Sequence, residues 1–245
     1  MPATMTAQRH VAEPSPESST APQFAVQDDP MARQLLQDAH ARLYKWPSTF
    51  AGYRAVLTVQ EEERVWQGEV TVHPPSTVVV QVDGDASVQT WVQESLSTQM
   101  MHLAYVPFEA GDGRYVVTLD AQEAGTRLHP RGVRITLHGG RMASWYRIKE
   151  RQYTQIGRTT PDGARRINTI ERYEAAADGR LYATHYVMAH FPAQSTALGG
   201  LTSYVNEFVT LTPTLVLPAC RTLWQVERGV SRSRLIALSA HRLLT

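Results

Sequence analysis

Cysteine is almost absent from this chain: Cys220 is the only one among 245 residues. An intrachain disulfide is therefore impossible, which points to a reducing compartment. Cys220 itself reads as a small buried hydrophobe near a strand start. Lysine is nearly missing too, at Lys45 and Lys149 alone, so arginine carries almost all of the positive charge. With a net charge of +1, the chain does not have the basic surplus of a general nucleic-acid binder. No apolar run approaches the roughly twenty residues of a membrane span. Proline and charged residues also break every window at the N-terminus where a signal peptide could lie. Together these absences lead to the expectation of a cytoplasmic protein.

Catalytic signatures are missing as well. His138-Gly139-Gly140 resembles the oxyanion-hole loop of lipases, but no Gly-x-Ser-x-Gly elbow accompanies it, so a glycine turn is the simpler reading. Gly111-Asp112-Gly113 lacks the third glycine and the preceding strand of a dinucleotide fingerprint, and there is no phosphate-loop lysine. His185 and His190 are an odd number of residues apart. On one strand they point to opposite faces and cannot share an ion, and the other histidines lack ligand spacing. No catalytic residue, metal or cofactor is therefore expected. Arg221, Arg228, Arg232, Arg234 and Arg242 make the last strands basic, most simply as a solvated face or an edge protected by charge.

What is present is an order of elements. Residues 1–29 hold Pro2, Pro14, Pro16 and Pro22 among small and polar residues. This composition cannot bury enough apolar surface to offset its ordering entropy, so a disordered tail is expected. Asp29-Pro30 then opens an amphipathic helix with Met31, Leu35, Ala39 and Leu43 on one stripe, predicted to run to about Lys45 before Trp46-Pro47. Strands follow at Tyr53–Gln60, Arg64–His73 and Thr77–Asp83. Asp85 caps a second helix carrying Val88, Trp91, Val92, Leu96, Met100 and Leu103. From Gly113 onward the pattern is strand and turn only, with hairpin signals at Pro161-Asp162-Gly163 and Asp178-Gly179. The expected fold class is α+β, mostly β: a single curved antiparallel sheet, a half-barrel over residues 30–245, with two helices packed in the concavity.

One hairpin holds the richest pattern. A two-residue Asp178-Gly179 loop would make Ala177 face Arg180 and Glu171 face Tyr186. Ile167, Thr169, Glu171, Tyr173, Tyr182, Thr184, Tyr186, Met188 and His190 would then share a face. A Glu150-Arg151 turn adds Tyr146, Ile148, Tyr153 and Gln155 to it, while Trp145, Ile156, Ile170 and Ala183 fall on the other side. Two readings of the tyrosine face remain open. It can line an amphipathic cavity, with phenols supplying both area and hydrogen bonds. The simpler alternative is a solvent-side ladder of tyrosine and threonine pairs.

Several segments carry a resemblance. Leu43-Tyr44-Lys45-Trp46-Pro47, Phe50-Ala51-Gly52-Tyr53, Gly68-Glu69-Val70 and Pro107-Phe108-Glu109 are similar to a bacterial and plastid family found mainly in cyanobacteria. Gly111-Asp112-Gly113-Arg114-Tyr115 and the ending His241-Arg242-Leu243-Leu244 are similar to it too. The likeness runs over about 31–244, and the family has no assigned activity from which catalytic residues could be carried over. The layout also resembles the half-barrel of periplasmic lipoprotein carriers, in which helices lie in the concavity and an apolar cavity holds acyl chains; fold alone does not fix function.

The expected function is a non-enzymatic binding module that holds an apolar or amphipathic small molecule, lipid-like or pigment-like, in the concave face. Tyr146, Tyr153, Tyr173, Tyr186 and Met188 are its candidate ligand-binding residues. The alternative is an assembly protein that docks a protein partner through helix faces or the sheet edge.

Overall fold

An aspartate ahead of a proline starts the first helix. In the computed structural model, which describes residues 26–75, 77–120 and 129–245, the Asp29 carboxylate accepts the N–H groups of Met31 and Ala32 at 2.8 and 3.2 Å. Pro30 opens helix α1 (Pro30–Ala41), which buries Ala32, Leu36 and Ala39. Residues 1–25 of the expected tail lie outside the described residues. Just before the helix, Asp29 N–H donates to Val117 O and the Asp28 carboxylate accepts from Val117 N–H, at 2.8 and 2.9 Å.

Helix α1 ends at Ala41, short of the predicted Lys45, because the next residues are drawn out against the sheet. Leu43 forms a parallel bridge with Leu181, and Tyr44 N–H donates to Leu181 O at 2.7 Å. Alternation then turns Tyr44 and Trp46 to the same side, and both are buried. Trp46 Nε1 donates to Val216 O at 2.9 Å. The Tyr44 hydroxyl accepts from Val216 N–H at 2.8 Å and donates to Thr214 O at 3.1 Å. Two large aromatics thereby tie this crossing segment to the far side of the sheet without leaving a polar atom unpaired.

Strands β1 (Tyr53–Glu61), β2 (Arg64–His73) and β3 (Thr77–Val82) lead into α2 (Ala86–Leu103), capped by Asp85 through the N–H groups of Ser87 and Val88. Then come β4 (Val116–Leu119), β5 (Val133–His138), β6 (Ala143–Lys149), β7 (Gln152–Thr159), β8 (Arg165–Ala175), β9 (Leu181–Phe191), β10 (Gly200–Thr212), β11 (Leu215–Glu227) and β12 (Val230–Leu243). They form one 12-stranded antiparallel sheet in the order β3-β2-β1-β12-β11-β10-β9-β8-β7-β6-β5-β4. The last strand returns beside the first, and the sheet stays open between its edge strands β3 and β4. The architecture is α+β, mostly β: a curved half-barrel with both helices on its inner face.

Each helix covers its own apolar cluster. Val88, Val92, Leu96, Met100 and Leu103 of α2 pack with Leu57, Val59, Val70, Val80, Leu217 and Ile236 of the sheet. Ala32, Leu36 and Ala39 of α1 pack with Val117, Ile135, Tyr146, Ile148 and Tyr153. Between the two helices the inner face of β8 and β9 is thinly covered. No residue of β8 is fully buried, and Thr184 alone is in β9.

The β8–β9 register differs from the expected one. Ala176 N–H donates to Arg180 O, which closes a three-residue loop of Ala177, Asp178 and Gly179. Within that loop Gly179 has a positive φ (80°) and Asp178 does not, so a type I turn is followed by a left-handed glycine. The primed two-residue turn would need positive φ at both residues. Tyr186 consequently faces Ile170 rather than Glu171. The register also shifts at Glu171 and at Thr184, and these bulges exchange the faces along both strands. Glu171 instead pairs with Arg131 at 3.0 Å. A third shift, next to Thr154, brings Ile156 to the side of Tyr153.

Candidate functional site: a tyrosine-lined cavity under the second helix

A cavity of about 120 Å³ opens where the two helix-covered clusters fail to meet. Leu43, Tyr44 and Lys45 of the crossing segment bound it on one side, and Gln99, His102 and Leu103 of α2 on another. Its floor is the sheet: Tyr153, Ile156, Asn168, Ile170, Tyr173, Ala183, Tyr186 and Phe208. Elsewhere along α2, Val88, Val92, Leu96 and Met100 are buried against the sheet while Met101 points to solvent. A wider hollow of about 220 Å³ adjoins the cavity, shares His102, Asn168, Tyr186 and Arg221 with it, and adds Trp91, Glu94, Met188 and Tyr204. For comparison, an apolar protein cavity of about 150 Å³ holds benzene.

The lining is apolar with a few convergent polar groups, the usual make-up of a small-molecule site. Burial pushes the Tyr153 and Tyr173 phenols upward, so both stay neutral. The Tyr173 hydroxyl donates to Tyr153 O at 2.8 Å. Tyr186 and Tyr204 stack with centroids 4.7 Å apart. Beside them Arg221 is only 3% exposed. Its guanidinium lies 4.6 Å from the Tyr204 ring centroid and donates to the Tyr186 hydroxyl at 2.8 Å and to Asn206 Oδ1 at 3.3 Å. Gln99 Nε2 donates to the same Asn206 oxygen at 3.3 Å.

Two more basic groups line the cavity. Lys45 Nζ donates to His102 O at 2.7 Å, and burial lowers its pKa to about 8 against a weaker opposing pull from Asp112. The His102 side chain is exposed. Desolvation by the surrounding walls first, then the charges of Lys45, Arg221 and Arg158, lower the pKa of its imidazole. Among the described residues no group of three or more His, Cys, Asp and Glu is placed to hold a metal ion, and no helix is long and apolar enough to cross a membrane.

Of the five residues singled out from sequence, Tyr153, Tyr173 and Tyr186 line the cavity, and Tyr186 and Met188 line the adjoining hollow. Tyr146 stands outside both. It is buried under α1, donates to Asp112 Oδ2 at 2.7 Å and accepts from Arg158. Arg221 is the main correction: instead of joining a solvated arginine face, it is buried on the inner side. Its phase with inward Leu223 could have revealed it, as could the position of Gln99 in the stripe Val88, Val92, Leu96, Leu103.

No curated protein matches this sequence. Among solved structures, a LolA superfamily protein, NE2245 from Nitrosomonas europaea, is 12% identical over 90% of this chain and 95% of its own, with a TM-score of 0.36. MucB in complex with MucA(peri) is 9% identical over 88% and 99%, with a TM-score of 0.23. The Pseudomonas aeruginosa MucA/MucB complex is 7% identical over the same shares, with a TM-score of 0.22. The profile of the family described as "Protein of unknown function (DUF3386)" matches residues 27–244, nearly the whole chain, and the protein belongs to that family.

Proposed function

We propose that the protein is a binding module, without chemistry of its own, that holds an amphipathic small molecule in the concavity of the sheet. The observation that carries this reading is the cavity, where neutral phenols and aliphatic side chains surround a space that α2 leaves unfilled. Packed interiors keep few such voids, and this one opens toward a wider hollow through which a guest can enter. A reducing, cytoplasmic setting suits a chain whose single cysteine, Cys220, has no intrachain partner.

Titration with the uncharged fluorophore N-phenyl-1-naphthylamine tests the reading. A saturable, one-to-one rise in emission is expected, lost in Ala183→Leu, which fills the floor of the cavity. A linear, non-saturating response from the folded parent protein would contradict it.

A second reading, docking of a protein partner on the outer face, is favoured by one observation. Leu201 and Val226 pair across β10 and β11, and both are exposed together with Trp224 on that face. Co-elution with a partner that Trp224→Glu abolishes would support this second reading.

A further inference from the structure

Arg221 supplies a requirement that an apolar guest does not meet. A buried guanidinium ordinarily has a carboxylate beside it, because taking the charge out of water is costly unless it is compensated. Among the described residues none is paired with Arg221. Its hydrogen-bond acceptors are a phenol and an amide, both neutral, and Nε has no partner. Two of its five N–H groups are thus engaged. Asn168 Oδ1 is also buried without a partner, and its amide can turn to present its NH₂ to a guest.

The electrostatics point the same way. The residues lining the inner cavity include Arg221, Lys45 and His102 but no aspartate or glutamate. Glu94 is the one acidic residue in the adjoining hollow, and it is not ion-paired with Arg221. Meanwhile the guanidinium is held rigidly: Tyr204 lies against it, Tyr186 and Asn206 take its hydrogens, and Gln99 fixes Asn206. A preorganised donor fork with unused N–H groups, next to an apolar space, matches a planar monoanion with an apolar body.

Resting on the cavity reading above, we infer that the ligand is an organic carboxylate, its head on Arg221 and its apolar part between the tyrosines and α2. A hydrocarbon or alcohol of the same size would fill the space and leave the guanidinium uncompensated, so the charged head sets the selectivity.

Isothermal titration with octanoate, octan-1-ol and acetate tests this on the intact protein and on Arg221→Met, with circular dichroism to check folding. Octanoate is expected to bind the parent protein about ten- to a hundredfold more tightly than octan-1-ol. Acetate, with the head alone, should bind weakly. Arg221→Met should abolish the preference, bringing octanoate down to or below the level of the alcohol. Equal binding of octanoate and octan-1-ol by the parent overturns the carboxylate inference while the apolar cavity stands. Failure of both to bind at millimolar concentration overturns the cavity reading itself. If Arg221→Met does not fold, the ratio measured on the parent decides.

Discussion

Replacing Arg221 with methionine should leave the empty protein as stable as the parent or make it more stable, although the residue is almost wholly buried. The substitution removes two hydrogen bonds from a charged donor, to Tyr186 and Asn206, each of about 1.5–3 kcal/mol. It also removes the Tyr204 contact at 4.6 Å, about 2 kcal/mol when desolvated. Against these stands the desolvation of an uncompensated charge, several kcal/mol in a protein interior. Methionine fills similar volume along the same unbranched stem, and Gln99 still donates to Asn206. Exchanging a whole buried ion pair for apolar side chains of like volume is often neutral or stabilising by about 1–4 kcal/mol, and removing Arg221, which has no carboxylate partner, leaves no opposite charge behind. The expected change is therefore between zero and about 2 kcal/mol of added stability, a rise in Tm of at most about 4–8 °C for a domain of this size. Differential scanning calorimetry on ligand-stripped protein measures it. A loss of about 2 kcal/mol or more would show that Arg221 is a structural strut, and the reasoning from an uncompensated charge would fail.

Three further outcomes follow from the same contacts. Lys45 has its pKa lowered to about 8 in the fold from 10.5. Between those values the unfolded chain binds more protons than the native one, so stability rises with pH across that window. With Lys45 partly exposed and His40, His102 and Asp112 as neighbouring titratable groups, the gain should be about 1 kcal/mol. Urea unfolding at pH 7.5 and 9.5 should show this gain in the parent relative to Lys45→Gln, and parallel curves would contradict it. Gly157→Ala should cost about 1–3 kcal/mol, because the new Cβ would lie 2.0 Å from the Trp145 ring that covers this glycine; unchanged chemical denaturation would mean that the ring moves freely. Tyr44→Phe should cost about 1–3 kcal/mol by leaving the Val216 N–H and Thr214 O without their partner, and a Tm equal to the parent's would show that water replaces the hydroxyl.

Much of the scaffold was legible locally. Asp29-Pro30 and Asp85 announced both helix starts through side-chain capping, and the boundaries of β2 matched alternation and turn residues. What escaped depends on longer-range geometry. Whether Asp178-Gly179 makes a two- or three-residue loop turns on a single φ angle, and that choice shifts the register of every residue after it. The bulges at Glu171, Thr184 and Thr154 leave no trace in periodicity, yet they bring Ile170, Ala183 and Ile156 onto the cavity floor. Arg221 was obscured by its arginine-rich neighbourhood: Arg234 stacks on Trp91 and pairs with Glu61, whereas Arg221 turns inward to neutral partners. Charge counted along a strand cannot separate these two fates. Side-chain phase against Leu223 can.

Native mass spectrometry of the purified protein, followed by organic extraction, tests the central claim most directly. A stoichiometric adduct on the 27.4 kDa chain, recovered in the extract as an amphipathic carboxylic acid and absent from Ala183→Leu, is the predicted result. A bare chain that takes up neither octanoate nor an uncharged fluorophore would contradict the claim.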